Sequence, residues 1–259
     1  MVCILLHSRL RTLFHPQFRI AAMSGGSVFF ASDVHIGSAS DAGRLSERRF
    51  LSFLSGLPED TSDLYLLGDI FDFRVEYRDL IPKDGIRVLG ALAALSDRGV
   101  RLHYICGNHD YWLSDWFEKE FGAEIIRASY VIRDIGGRNI CFGHGDGLGR
   151  RSIWECLIFR LFRSKICISF MKGLPPRWLF SFARSWSALS RCRHCGYVFK
   201  GADDPLYRFA DNLSRRERVD AFIFGHLHTP VCASLPDGTP LHVLGDWSEK
   251  ASYLNLSGM

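Results

Sequence analysis

The sequence lacks a long apolar run. No stretch of about 18 uncharged apolar residues occurs, so a membrane-spanning helix is not predicted. It also lacks a large excess of charge, because 32 Lys and Arg residues oppose 28 Asp and Glu residues, and the formal net charge of +4 says little about partners. Hydrophobic (47%) and charged (23%) residues occur in ordinary globular proportions, which excludes wholesale disorder and a collagen-like structure. The 259 residues suffice for one large domain with a smaller insertion.

The eight cysteines follow no spacing that is typical of a disulfide framework. Several lie inside apolar runs, as small core residues do, and we therefore expect a reducing compartment. Cys192 and Cys195 form a Cys-x-x-Cys pair, but no second pair accompanies it, so a zinc site is not predicted there.

Residues 1–24 are interpreted as an N-terminal extension, either disordered or upstream of a true start at Met23. The apolar stretch at residues 2–6 is too short for the core of a signal peptide. Three arginines make this segment basic, so an amphipathic targeting segment is an alternative interpretation.

From residue 28 onward, a short β-prone apolar run ends five times in polar residues that can bind metals. Continuous apolar runs of this kind are typical of strands buried on both faces. Helical patterns separate several of them, and alternating strands and helices predict a layered α/β core with ligands at the carboxyl ends of the strands. The predicted strands are residues 28–32, 64–67, 102–105, 139–142, 221–224, 241–244 and 253–256, and the predicted helices are residues 45–54, 86–96 and 206–216.

Residues 150–200 interrupt this alternation of strands and helices. They contain eleven Arg and Lys residues and a single acid, Glu155. Apolar residues recur at helical spacing from Ile153 to Phe162, and a second helix is predicted after Pro175 and Pro176. We interpret this range as a basic, aromatic helical insertion, or lid, over a core formed by residues 25–149 and 201–259.

The candidate metal-binding and catalytic residues lie in the polar clusters at the strand ends. Each is weak evidence alone, because short motifs of this kind occur by chance, but their order along the chain is specific. In that order they are Asp33-x-His35, Gly68-Asp69, Gly107-Asn108-His109-Asp110, Gly143-His144 and Gly225-His226-Leu227-His228.

This order resembles the calcineurin-like binuclear metallophosphoesterases over residues 27–247, nearly the whole chain beyond the extension. The resemblance implies a β-sandwich core flanked by helices and two metal ions bridged by Asp69. It assigns Asp33, His35, Asp69 and His228 to one metal, and Asp69, Asn108, His144 and His226 to the other. Carboxylate, amide and imidazole ligands without a thiolate favour Mn²⁺, Fe or Zn²⁺, and the oxygen-rich set suits Mn²⁺ well.

His109 and Asp72 are the candidate catalytic pair. In the related phosphoesterases, the His after the metal-binding Asn pairs with an Asp three residues after the bridging Asp, and Asp72 occupies that position. The resemblance therefore implies a His that stabilises charge or donates a proton. A purely structural hydrogen bond between the two loops is the alternative.

Several longer stretches are similar to the UDP-2,3-diacylglucosamine pyrophosphatases of lipid A biosynthesis. They are residues 31–37, 66–73, 76–78, 144–149, 176–178 and 244–247. This resemblance implies hydrolysis of UDP-2,3-diacylglucosamine to UMP and 2,3-diacylglucosamine 1-phosphate. The candidate substrate-binding residues are Arg78, Arg150, Arg177 and Trp178. One departure from the best-studied branch is His109, which stands where that branch has Arg.

A lipid substrate also suits the insertion, whose aromatic side chains would bury acyl chains while its basic residues contact an anionic membrane surface. We therefore expect a cytoplasmic protein associated peripherally with the inner face of the inner membrane, with no nucleic-acid or protein partner. Three alternatives stay open: a nucleotide or phosphoprotein phosphatase of the same fold, a nuclease, since basic surfaces attract phosphates, and a non-catalytic scaffold of this fold.

Overall fold

The computed structural model describes residues 25–38, 40–75, 80–113, 115–149, 161, 164–175, 177–179, 181 and 197–256. The N-terminal extension, most of the predicted insertion and the Cys192–Cys195 pair lie outside these residues, so the predictions made for them are not tested.

The described chain alternates strands and helices. The strands are β1 (Ser27–Ala31), β2 (Thr61–Leu66), β3 (Arg101–Ile105), β4 (Glu124–Ile126), β5 (Val131–Ile135), β6 (Arg138–Phe142), β7 (Ala221–Phe224), β8 (Val231–Ser234), β9 (Pro240–Val243) and β10 (Tyr253–Asn255). The α-helices are α1 (Asp41–Ser55), α2 (Ile86–Asp97), α3 (Trp116–Phe121), α4 (Lys165–Gly173) and α5 (Pro205–Ser214), and a 3₁₀ turn spans Gly201–Asp203.

The strands form two five-stranded sheets, in the orders β10-β1-β2-β3-β4 and β5-β6-β7-β9-β8. In the first sheet β1 to β4 are parallel, and β10 pairs antiparallel with β1 at one edge. In the second sheet β6, β7 and β9 are parallel, whereas β5 and β8 are antiparallel edge strands. The carboxyl ends of the parallel strands in each sheet therefore meet at one edge, where the polar clusters follow.

Strand β1 shows why both faces of its sheet are apolar. Val28 and Phe30 belong to a buried cluster shared by the two sheets, whereas Phe29 and Ala31 point to a second cluster formed with α1, α2 and α3. A third cluster packs α5 on the outer face of the second sheet. The layers are thus helices, sheet, sheet and helix, and the predicted β-sandwich flanked by helices is confirmed.

The described part of the predicted insertion contains α4, whose N-terminus is capped by Ser164. Met171 and Leu179 are buried in a cluster with Val75 and Trp112, which follow β2 and β3. No helix in the described part of the chain has the length and hydropathy needed to cross a membrane. The division of the chain into a core and a lid over residues 150–200 stays a prediction, because only parts of that range are described.

A polar network joins the two sheets at the opposite ends of the strands. The ring of His103 lies between two carboxylates, with Nε2 2.9 Å from Asp63 Oδ1 and Nδ1 2.8 Å from Glu124 Oε2. Arg133 of β5 donates to the same Glu124 oxygen at 2.6 Å and so connects the second sheet to β4 of the first. The hydrogen bond with His103, assisted by Arg133, holds the pKa of Glu124 at about 2.

We expect this network to make stability depend on pH in acid. The folded-state pKa of Glu124 lies below its ordinary value of 4.5, so its contribution is complete above about pH 4.5 and is lost as the pH falls towards 2. The Glu124 side chain is 40% exposed, and solvent screening limits the effect to on the order of 1 kcal/mol or less. Glu124→Gln should flatten the pH dependence of the unfolding free energy, measured by urea denaturation in EDTA between pH 5 and 3. Equal slopes for variant and parent would contradict the role of Glu124.

Candidate active site

The seven predicted metal ligands converge where the two sheets meet at their carboxyl edges. Asp33 and His35 follow β1, Asp69 follows β2, and Asn108 follows β3 in the first sheet. The second sheet contributes His144 after β6 and two histidines after β7. These two histidines are His226 and His228. Strands that are distant in sequence thus place the seven side chains together.

The backbone at these positions is unusual. Five non-glycine residues of the described chain have positive φ angles, between 53° and 73°, and all five are predicted ligands: Asp33, His35, Asp69, His226 and His228. Such conformations are uncommon outside glycine and cost on the order of 1–3 kcal/mol each, so they persist only where the surroundings impose them. This coincidence of strain with predicted ligands marks the edge as a functional site.

Glycines beside the ligands allow the loops to approach closely. The sequence suggests that Gly225 permits the turn that brings His226 and His228 to one rim, but the histidines themselves adopt the left-handed conformation. Gly225 is needed for space instead, because a Cβ there would lie 2.1 Å from Ser32 Oγ and 2.4 Å from Asp33 Oδ2.

The first group of ligands surrounds a common point. His35 Nε2 and His228 Nε2 lie 3.1 Å apart, and His228 Nε2 is 3.5 Å from Asp33 Oδ1. Donor atoms of Asp33, His35 and His228 all lie within 4.8 Å of one another. Two ring nitrogens and a carboxylate oxygen at such distances suit one divalent cation.

The second group centres on Asp69. His144 Nε2 lies 3.4 Å from Asp69 Oδ2 and 3.2 Å from Asn108 Oδ1. His144 Nδ1 donates to the Leu67 carbonyl at 2.8 Å, which leaves Nε2 as the ligand atom, as is usual for metal-binding histidines. The His226 ring lies with its centroid 5.1 Å from that of His144.

These residues fit a pair of divalent cations. Asp33 Oδ1 is buried and accepts no hydrogen bond from the described residues, which is costly for a carboxylate oxygen unless a cation satisfies it. Asp33 and Asp69 are both fully buried, and Asp69 is shared by groups that contain His35 and His144. The arrangement supports the predicted bridging position of Asp69.

Electrostatics at the site follow from this burial. Burial raises the pKa of Asp33 to about 6. Burial also disfavours ionisation of Asp69, but His144 and His109 outweigh it and hold the pKa of Asp69 well below its usual range. Burial opposes protonation of His144, yet the Asp69 and Asp33 carboxylates raise its pKa well above the ordinary value. The buried carboxylates thus make the site strongly favourable for a positive charge, either on an imidazole ring or on a metal cation.

The contacts of His109 and Asp72 refine the predicted pair. His109 Nδ1 donates to the backbone carbonyl of Asp72 at 2.9 Å, while its Nε2 faces Asp69 Oδ2 at 3.9 Å. The Asp72 carboxylate lies 3.6 Å from Nδ1 of His35. Asp72 therefore lies next to both rings. Its backbone carbonyl accepts the hydrogen bond from His109, and its carboxylate faces the predicted metal ligand His35.

Asp72→Asn should accordingly weaken metal binding by about 10- to 100-fold, the usual effect of losing a carboxylate behind a ligating histidine. The rate at saturating metal should fall less than tenfold, because His109 keeps its carbonyl partner. Metal affinity is measured by competition with a fluorescent chelator, and kcat by titration to saturating metal. Unchanged affinity with a large loss of kcat would show that the carboxylate acts through His109 instead.

One residue of the site was assigned no role by sequence analysis. Asp110 is fully buried and accepts hydrogen bonds from the backbone N–H groups of Ile70 at 2.9 Å and Gly107 at 2.8 Å, and from the hydroxyl of Tyr104. It thereby ties the loop of Asp69 to the loop of Asn108. Its place in the Gly107–Asp110 cluster was the only signal that could have identified it.

The substrate-binding candidates are only partly described. Trp178 is 60% exposed, and the Arg177 guanidinium carbon lies 6.0 Å from the centre of its ring. Arg78 and Arg150 lie outside the described residues. The roles of all four stay predictions.

Comparison with known proteins agrees with this geometry. The family model described as calcineurin-like phosphoesterase matches residues 26–230. The chain belongs to the calcineurin-like phosphoesterase family. Within this calcineurin-like chain, all seven predicted metal ligands are of residue types that can bind a metal.

Several curated relatives are similar over most of their length. A protein of Porphyromonas gingivalis named UDP-2,3-diacylglucosamine hydrolase is 33% identical over 87% of this chain and 92% of that protein. Proteins of the same name from Nitrosococcus oceani and Aeromonas hydrophila are each 30% identical, over 90% and 93% of their lengths and 88% of this chain. Among solved structures, a dimetal phosphatase from Danio rerio is 12% identical, with a TM-score of 0.47 over 89% of this chain and 91% of that one. The predicted metallophosphoesterase and its hydrolase class are confirmed by the family model and the curated relatives.

Proposed function

We propose that this calcineurin-like phosphoesterase hydrolyses the pyrophosphate bond of UDP-2,3-diacylglucosamine, releasing UMP and 2,3-diacylglucosamine 1-phosphate in lipid A biosynthesis. The observation that carries the proposal is the 33% identity with the P. gingivalis enzyme over 92% of its length. The complete ligand set argues against a non-catalytic scaffold, since scaffolds of this kind typically lose ligands.

The metal centre would hold one cation between Asp33, His35, Asp69 and His228, and a second between Asp69, Asn108, His144 and His226. Mn²⁺ is the preferred ion, because oxygen and imidazole donors without a thiolate suit it. When bound, such a pair supplies positive charge that polarises the phosphoryl group and activates water for attack at the phosphorus nearest uridine.

His109 supports this reaction through Nε2. Its Nδ1 must carry a proton, because a carbonyl oxygen can only accept a hydrogen bond. Only the protonated ring can therefore donate from Nε2, and that atom faces the Asp69 side of the site. The departing sugar phosphate is already a good leaving group, so stabilisation of charge on the phosphoryl oxygens matters more than protonation.

The described part of the insertion suits a diacylated substrate. Helix α4 presents Ile166 (85% exposed) and Phe170 (67% exposed) one turn apart, and Trp178 is exposed nearby in sequence. Through Met171 and Leu179 the same segment packs on Val75 and Trp112, in the loops that carry Asp72 and His109. A lid in this position would bring acyl chains beside the metal centre, with Arg177 and Trp178 at its rim, while Arg78 and Arg150 contact the headgroup.

Turnover of diacylated UDP-glucosamine, compared with unacylated UDP-sugars with and without Mn²⁺, tests the proposed function. We expect kcat/KM for the diacylated substrate to be more than 100-fold higher. Four buried methylene groups at about 0.8 kcal/mol each already supply such a factor. Equal turnover of unacylated nucleotides would instead indicate a general nucleotide phosphatase.

Variants of the insertion test the acyl-binding role separately. We expect Ile166→Ser, Phe170→Ser and Trp178→Ser together to reduce kcat/KM for the diacylated substrate at least tenfold, because exposed apolar contacts to the acyl chains are lost. Hydrolysis of a small chromogenic phosphodiester should stay within about twofold, since that substrate needs only the metal centre. Equal losses on both substrates would rule out a lipid role for this surface.

We also propose that the protein associates peripherally with the cytoplasmic face of the inner membrane. The described segment 164–175 and residues 177–179 and 181 include three basic residues, Lys165, Lys172 and Arg177, and no acid. Such a segment is attracted to anionic lipid.

A further inference from the structure

Exposed apolar side chains in the described residues are concentrated on two segments. Ten large hydrophobic residues are at least 42% exposed, and seven of them lie in residues 80–86 or 161–178. The second segment belongs to the predicted insertion. The first belongs to the core, in the connection from β2 to the first residue of α2, and no motif accounts for its exposed Leu80, Ile81 and Ile86.

The 80–86 segment lies against the loops of the metal centre. A Cβ at Gly85 would come within 2.8 Å of Ile36 Cγ2 and 2.9 Å of Phe71 Cε1, so the backbone contacts both side chains closely. Ile36 directly follows the ligand His35, and it pairs with Phe71 in an isolated bridge beside Asp72. The segment thus forms part of the rim of the metal centre.

Basic residues are interspersed with these apolar ones. Leu80 is 59% exposed, Ile81 51% and Ile86 62%, and the side chains of Lys83 and Arg87 are exposed among them. Asp84 lies in the same stretch, and Glu47 of α1 lies near both Asp84 and Arg87, so acids partly balance the two basic side chains. Exposed aliphatic side chains next to lysine and arginine are typical of segments that lie in the interface of an anionic membrane. We define Leu80, Ile81, Lys83, Ile86 and Arg87 as the 80–87 surface.

We propose that the 80–87 surface docks on an anionic phospholipid bilayer, with Leu80, Ile81 and Ile86 inserted among the headgroups and Lys83 and Arg87 contacting lipid phosphates. This inference rests on the proposed function, because a diacylated substrate resides in a bilayer and the rim of the metal centre must face it. The insertion and the 80–87 surface both adjoin the loop that contains Asp72, at the metal-bearing edge of the fold. Two separate elements would therefore hold the metal centre at the membrane.

Vesicle flotation tests the proposal with the full-length, metal-loaded protein. The vesicles contain phosphatidylethanolamine and phosphatidylglycerol, and phosphatidylcholine vesicles serve as the neutral reference. We expect Leu80→Ser, Ile81→Ser and Ile86→Ser together to lower the vesicle partition coefficient by about 10- to 100-fold, because three aliphatic side chains that are partly buried among the headgroups are lost. Lys83→Glu with Arg87→Glu should reduce the preference for phosphatidylglycerol, while the basic residues of the insertion keep part of it.

Leu45→Ser is the matched control, because Leu45 is 42% exposed on α1, outside both segments, and its loss should leave the partition coefficient unchanged. Unchanged hydrolysis of a small chromogenic diester by the 80–87 variants would show that they fold. Parent-like flotation of the triple serine variant would overturn the docking surface. Failure to hydrolyse diacylated UDP-glucosamine, with flotation still dependent on the 80–87 surface, would refute the proposed substrate and leave the surface in place.

Discussion

Asp69→Ala is expected to abolish hydrolysis, by more than about 10³-fold, and to leave a purified protein that retains neither metal ion. Asp69 is 1% exposed, and its Oδ2 lies within 3.9 Å of ring nitrogens of His35, His109 and His144. Its removal therefore deprives both groups of ligands of their shared anionic donor.

Metal content of the Asp69 variant, measured by inductively coupled plasma mass spectrometry, and turnover of the chromogenic diester test this expectation together. Asp203→Ala is a suitable control, because the Asp203 side chain is 80% exposed and pairs only locally with Arg208. Two bound metal equivalents with full activity in the Asp69 variant would refute the bridging assignment.

His109→Ala is expected to fold and keep both metals but to lose about 10²- to 10⁴-fold in rate, the usual range for a positioned acid–base group. The ring is 5% exposed and is held by the Asp72 carbonyl, so its Nε2 is fixed relative to Asp69. Loss of metal in this variant would instead make His109 a ligand, which its grouping with His35 and Asp69 allows geometrically.

A second substitution separates the two possible roles of His109. Arg occupies this position in the best-studied branch of the similar pyrophosphatases and is always charged. If charge stabilisation dominates, His109→Arg should recover much of the lost rate, because arginine supplies the same positive charge. If proton donation dominates, the arginine variant should be as slow as the alanine variant.

The sequence predicts those strands and helices of this fold that have a strong local pattern of apolar residues. The predicted strand over residues 221–224 matches β7, and the predicted helix over residues 86–96 matches α2 to within one residue. Each combines a continuous apolar run or helical period with polar residues at its end. The polar clusters that contain the predicted ligands follow apolar strands, and the order of these clusters along the chain, which resembles a known family, supplied the assignment of each ligand.

Elements without a continuous apolar signal were not predicted. Strand β4 has three residues, β8 alternates half-buried and exposed positions at an edge, and α3 has only six residues. Their structure depends on tertiary packing, as in the case of α3, where Phe117 and Phe121 are buried against the first sheet. The hydrogen bonds of Asp110 also depend on loops about 40 residues apart in the sequence, and no local pattern reveals such contacts.

The left-handed backbone of the five ligands also bears on the order in which the protein is assembled in the cell. Backbone turns, close glycine contacts and hydrogen bonds such as that from the His226 N–H to Asp33 Oδ2 help to hold these residues in place. Small zinc domains differ, because their ligands become ordered only when the metal binds. Here contacts between protein atoms also hold the ligands, so we expect metal supply to affect the fraction of active molecules more than the yield of folded protein.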